Sequence, residues 1–395
     1  MTDGRDYIKG LDSVRAISMV LVLMVHLRLL GIGWITIQTF FVMSGFLITR
    51  ILLSLRDKQP LGSYLKIFYA RRTLRIFPIF YLTLFVLIGV SFFVPAMDGV
   101  RDQAPYALAY LWNWYAIFQD GPLVHYVEHF WSLAVEEQFY LAWPLLVFFA
   151  RGAWFWRIAL GIVLAAPLLR FGVALWWDAA GNPAIGAPNA LYLMSTTHLD
   201  AFATGALLCL VIKHPESRRF QPRHLLLAAV VVFLLGAAIN GPGIGRGGPY
   251  NVPLNLGFPI HMANAWQFVW GYSALNLLSA GLLLLVGQGR FLNPLFQHPL
   301  MARLGVITYG AYVLHLPLLH LFVPMVKWFQ ALVGSAYWGS WLSAPILIVV
   351  TFGLAELSYR FFESRFLRMK DVHFNVQSPV PAPANSASGS NLTAP

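Results

Sequence analysis

The stretch GLDSVRAISMVLVLMVH, residues 10–26, decides how the rest of the chain is read. It is an apolar run that carries three ionisable side chains, Asp12, Arg15 and His26. Charged groups are costly inside a bilayer, so each one in an apolar helix is a candidate for function. The basic residues Arg5 and Lys9 precede the run, as in a secretory signal. No small-residue cleavage site follows, and a retained first helix is expected. On that helix Asp12 and Arg15 stand three residues apart on one face and can pair. Arg15 and His26 are eleven apart, close to three turns, so they share a face but are separated by about 16 Å along the axis. Asp12 therefore cannot orient the imidazole, and His26 needs a partner from another helix.

Working outward, the same kind of run recurs. Apolar segments lie at roughly 11–31, 34–55, 74–96, 131–150, 155–177, 191–212, 224–240, 264–287, 303–325 and 337–359. The chain is 58% hydrophobic and only 11% charged, against about 25% charged in soluble domains. The expected fold is all-α, a polytopic membrane helix bundle of about ten transmembrane helices. The formal charge of +11 does not point to nucleic acid, because the basic residues cluster between apolar runs. If 104–118 does not span, those clusters all fall on one face, as the positive-inside rule requires. Both termini are then cytoplasmic, and 97–130 is an outer segment with a short helix. The Gly- and Pro-rich stretch 241–259 is an outer loop. Residues 1–371 form one membrane-embedded domain, and 372–395, rich in Pro, Ala, Ser and Asn, a disordered cytoplasmic tail. A single cysteine, Cys209, excludes a disulfide framework and a Cys-based zinc site.

Four further segments carry candidate chemistry. In FWSLAVEEQFYL, residues 130–141, Glu136 and Glu137 are adjacent in an apolar helix and point about 100° apart, so only one can face a given cavity. Glu136 lies about as far below the outer surface as His26, and a His near a carboxylate is an ordinary general-base arrangement. In FFVMSGFLIT, residues 40–49, Ser44-Gly45 either admits a substrate or lets two helices approach closely. In RRTLRIFP, residues 71–78, Arg72 and Arg75 share a face, and Arg forks suit phosphate oxygens; the cluster is equally readable as a topology signal. Asp200 is read as structural or acceptor-binding. His315 is read as a hydrogen-bonded core residue, Cys209 as a buried inert thiol, and Glu356 and Glu363 beside Arg360 as ion-pairing groups. The close spacing of His125, Glu128 and His129 argues against a metal site.

Together with HLDAFATGALL (198–208) and ITYGAYVLHLPLL (307–319), these segments resemble, in order, the acyltransferase-3 family of membrane acyltransferases, over roughly residues 7–365. The resemblance implies ten helices in a cell inner or plasma membrane. It implies acyl-CoA, acetyl-CoA first among donors, as a cytoplasmic co-substrate with no tightly bound cofactor. It implies a glycan or other hydroxyl-bearing acceptor. It places the catalytic base on His26, the donor-side arginines on Arg15, Arg72 and Arg75, and the family's acidic helix on Glu136 and Glu137. Ser44, Glu137 and Asp200 are the substrate-side candidates. One position departs from the pattern: the Arg often found two residues before the Asp is here His198. Many relatives also carry a C-terminal hydrolase-like domain, from which nothing transfers to this chain.

The rival reading is a transporter or flippase, which shares the polytopic frame and the intramembrane charges. It leaves unexplained a His on the face of a donor-side Arg, and acyl-CoA turnover by purified protein separates the two.

Overall fold

A computed structural model describes residues 10–119, 123–181, 186–213, 221–240, 267–289 and 291–374. The expected loop at 241–259 and most of the expected tail, 375–395, lie outside the described residues. Ten described helices have fifteen residues or more: α1 Leu11–His26, α2 Ile35–Arg56, α3 Leu61–Ser91, α4 Phe130–Phe149, α5 Ala153–Ala179, α6 Leu199–Lys213, α7 Pro222–Asn240, α8 Gln267–Gly287, α9 Pro299–Leu321 and α10 Ala336–Ser358. The described residues contain no strand.

Seven helical stretches are long and apolar enough to cross a membrane. The chain is thus a polytopic, all-helical membrane protein. Among the helices outside that set, α1 has only 16 residues, and α4 interrupts its apolar run with Glu136, Glu137 and Gln138. The residues that carry the candidate chemistry are the ones that weaken the membrane signal.

Helix α2 lies at the centre, with 67% of its most apolar window buried, whereas α5 has 22% buried and turns Leu164 and Leu168 outward. What brings α2 against α6 is a reciprocal pair of glycines. A Cβ on Gly45 would collide with the backbone of Phe202, and one on Gly205 with the backbone of Val42. Helices α1 and α9 approach in the same way, with Gly305 against the Asp12 carbonyl. Small residues let backbones close where lipid and protein are equally apolar and shape complementarity must drive association.

Three segments differ from the sequence reading. Helix α3 begins at Leu61, not near 74, because Tyr64 and Phe68 are buried and the Tyr64 hydroxyl donates to the Pro144 carbonyl of α4 at 2.9 Å. Arg72 and Arg75 are therefore inside a helix and not at its end. The stretch 97–118 forms two short helices, Gly99–Leu108 and Trp112–Phe118, and neither is a candidate span. After α10 the chain continues through a π-turn, Tyr359–Glu363, into a further helix, Ser364–His373.

Candidate active site

A cavity of about 530 Å³ opens between α1, α2, α3, α4, α9 and the C-terminal helix Ser364–His373. Its basic lining residues are Arg15, Arg50, Arg72, Arg75 and Lys370, and its acidic ones Asp12, Glu136, Glu363 and Asp371. Arg15 forms an ion pair with Asp12, one turn earlier on α1. Arg72 and Arg75 have no ion pair or hydrogen bond among the described residues. The Arg72 guanidinium lies against aromatic faces, 5.5 Å from the Tyr140 ring centre and 5.9 Å from that of Phe68. Arg71 points elsewhere: it donates to the Phe374 carbonyl at 2.6 Å and lies 3.6 Å from Asp371. Of the three neighbouring arginines, one thus secures the C-terminal helix, and the fork Arg72/Arg75 faces the cavity with its hydrogen-bonding capacity unspent.

Deeper in, Ser44 and Glu136 line the wall. The Ser44 hydroxyl is 2.5 Å from the Tyr140 hydroxyl. Of the Ser44-Gly45 pair, Gly45 closes the α2–α6 contact and Ser44 lines the cavity. Only one of the adjacent carboxylates lines the cavity. Glu137 does not, and its Oε1 is buried without a hydrogen-bond partner among the described residues.

The far end of the cavity is closed by Ser132 and Tyr312. Their hydroxyls are 2.5 Å apart, and each is 3.2 Å from the His129 carbonyl. Beyond this pair lies a cluster of imidazoles: His26 is 5.2 Å from His315, and His129 is 4.8 Å from His315, between ring centres. The expected pairing of His26 with Glu136 is not formed. Helix α1 ends at His26, while Glu136 lies six residues inside α4, about 9 Å below its start. Equal depth for the two side chains would require α1 to continue to about residue 31.

Asp200 is not in the cavity. It makes an ion pair with Arg170 at 2.9 Å, with the two side chains 1% and 0% exposed, where α5, α6 and α8 meet. Arg170 further donates to the Thr197 and Val269 carbonyls and to Ser273. A charge so deep persists only when paired; Arg170 and Ser273 both engage Oδ2 of Asp200, while Oδ1 is buried without a hydrogen-bond partner among the described residues. His198 lies outside the cavity too: Nε2 donates to the Tyr192 carbonyl at 2.8 Å, which leaves Nδ1 to accept from Gln38 at 2.9 Å. The sequence reading missed Arg170, although an arginine alone in an apolar helix is itself a signal. It also missed Tyr312 and took His129 only as part of an outer segment.

A polytopic helical bundle with a deep cavity, cationic at one end and leading towards histidines at the other, defines the class. Residues 8–360 match the acyltransferase-3 family, described as an acyltransferase domain, and the chain belongs to that family. It is 28% identical over 377 residues to the peptidoglycan O-acetyltransferase OatA of Listeria monocytogenes, covering 91% of this chain and 56% of that protein. It is 29% identical over 386 residues to YrhL of Bacillus subtilis, provisionally named a peptidoglycan O-acetyltransferase, covering 92% and 55%. The chain thus spans little more than half the length of these relatives. No solved structure matches.

Proposed function

We propose that this chain transfers an acyl group, in the first instance acetyl, from acyl-CoA at the cytoplasmic face to a hydroxyl of a cell-envelope glycan. The carrying observation is the Arg72/Arg75 fork, which lines the cavity and makes no ion pair or hydrogen bond among the described residues, although the Asp12, Glu136 and Glu363 carboxylates line the same cavity. Cations held in a low-dielectric wall favour an anionic ligand, and guanidinium forks match phosphate oxygens. The names of the relatives support acetyl as the group and an envelope polymer as the acceptor. All ten long helices then cross an inner or plasma membrane, with both termini inside.

In this reading Arg72, Arg75, Arg15 and Lys370 hold the donor phosphates. The pantetheine arm runs up the cavity and delivers the thioester to the Ser132–Tyr312 end. His26 does not itself line the cavity; with the Ser132–Tyr312 pair parted, it removes the proton of the acceptor hydroxyl as that oxygen attacks the thioester carbonyl. The tetrahedral oxyanion collapses, the carbon–sulfur bond breaks, and the thiolate takes the proton from His26. The ester and CoA thiol leave on opposite sides. Ser44 and Glu136 belong to the wall along which the arm passes.

The test is purified protein in detergent with radiolabelled acetyl-CoA, combined with mass spectrometry of envelope glycans from cells with and without the gene. CoA release coupled to gene-dependent glycan O-acetylation supports the reading. Binding of acetyl-CoA with neither turnover nor any change in the glycans contradicts it.

A further inference from the structure

His315 lies on α9, one turn after Tyr312, and is fully buried. Its Nδ1 is within hydrogen-bond distance of the Tyr312 carbonyl. A carbonyl oxygen can only accept, so Nδ1 carries the proton and Nε2 is left as a lone-pair acceptor. That Nε2 is buried and has no partner among the described residues. The same holds for His129, with the nitrogens exchanged. Nε2 donates to the Val313 carbonyl at 3.0 Å, and Nδ1 is a buried acceptor without a partner. Two backbone carbonyls thus fix two imidazoles as neutral tautomers, each with an accepting nitrogen that nothing satisfies.

Buried polar atoms without a partner are rare because each costs free energy, about 1–3 kcal/mol. Here two of them sit on neighbouring rings, where a donor present part of the time would satisfy one. Three rings surround His315, His129 at 4.8 Å, Tyr312 at 5.1 Å and His26 at 5.2 Å between centres, and of the two imidazoles His26, tilted by 51°, is the one that no backbone carbonyl among the described residues holds. His26 itself makes no hydrogen bond among the described residues. Glu128 is engaged with His125 at 2.6 Å, and His320 Nδ1 with the Leu316 carbonyl at 2.8 Å.

We propose that His315 is the positioning residue of His26, accepting through Nε2 the N–H of the imidazolium formed when His26 takes the acceptor's proton. It occupies the place a carboxylate takes behind many general-base histidines. It does so without a second charge in the membrane, and His129 packs behind it to hold the ring. The inference rests on His26 acting as the base, and its geometry is tested apart from that role.

One arm of the test is histidine-selective 15N NMR of the full chain in detergent micelles, acidified to protonate His26. The hydrogen-bonded N–H signal assigned to His26 is expected in wild type. It should be lost in His315→Ala and retained in His315→Gln, whose amide oxygen can accept in the same place. The second arm is transfer kinetics with acetyl-CoA and a soluble N-acetylglucosamine oligosaccharide. His315→Ala is expected to lower kcat by about tenfold or more with the KM for acetyl-CoA near wild type, and His315→Gln to recover much of it. Adding His315→Ala to His26→Ala should cost nothing further. A His26 signal unchanged by His315→Ala overturns the proposal whether or not the protein is a transferase. So does a kcat loss that is undiminished in the His26→Ala background. A wild-type protein that shows the His26–His315 bond but no transfer contradicts the functional reading alone.

Discussion

The guanidinium of Arg72 lies 5.5 Å from the centre of the Tyr140 ring, and the Tyr140 hydroxyl reaches Ser44 at 2.5 Å. One aromatic side chain on α4 therefore joins the cationic part of the cavity to the polar wall on α2. Arg72 gains a quadrupolar contact while its N–H groups stay available to a ligand. Arg72→Ala or Arg75→Ala is expected to weaken CoA binding to the detergent-purified protein by tenfold or more, since a charge-assisted contact is worth roughly 1.5–3 kcal/mol. Arg71→Ala should cost less, because that side chain engages Asp371 and Phe374. Equal affinity across all three variants and wild type would reduce the cluster to a topology signal.

The Arg170–Asp200 pair calls for a different outcome. Removing one partner of a buried ion pair leaves the other uncompensated, at about 3–5 kcal/mol. Arg170→Met and Asp200→Leu alone should each lower the thermal midpoint in detergent, and the double variant should regain part of the loss. Normal stability with lost transfer in the Asp200→Leu variant would return Asp200 to the substrate site.

The C-terminal boundary is set by contacts. Leu367, Lys370 and Asp371 line the cavity, and the Phe374 carbonyl accepts from Arg71. A chain ending at Phe374 is expected to insert and transfer like the full chain. A chain ending at Glu363 should insert but bind CoA more weakly, because Lys370 and the rest of that wall are gone. Undiminished CoA affinity in the shorter chain would remove the C-terminal helix from the donor site.

How much of this was legible in the sequence depends on the range of the interaction concerned. Helix periodicity is local, so each apolar segment finds its helix. The 100° rule correctly splits Glu136 from Glu137, although it could not say which one faces inward. The Arg72/Arg75 fork is an i, i+3 relation and survives intact. Contacts between helices were out of reach. The depth of His26 depended on where α1 stops, and two residues read as separate, His129 and His315, converge only because α4 and α9 pack at Tyr312. Asp200 is equally readable from sequence as structural or acceptor-binding, because an intramembrane carboxylate can be either. Its partner lies thirty residues away, on a helix read as merely apolar.

Everything turns on whether His26 moves a proton. The most direct measurement is the rate of acetyl transfer by a His26→Gln variant that is expressed, inserted and able to bind acetyl-CoA as wild type does. An amide can replace a hydrogen bond but cannot serve as a base, and loss of a general base costs about 10²–10⁴-fold. The expected result is a rate lower by at least about a hundredfold with acetyl-CoA affinity unchanged. Transfer at more than about a tenth of the wild-type rate would contradict the assignment, since no general-base role is that dispensable.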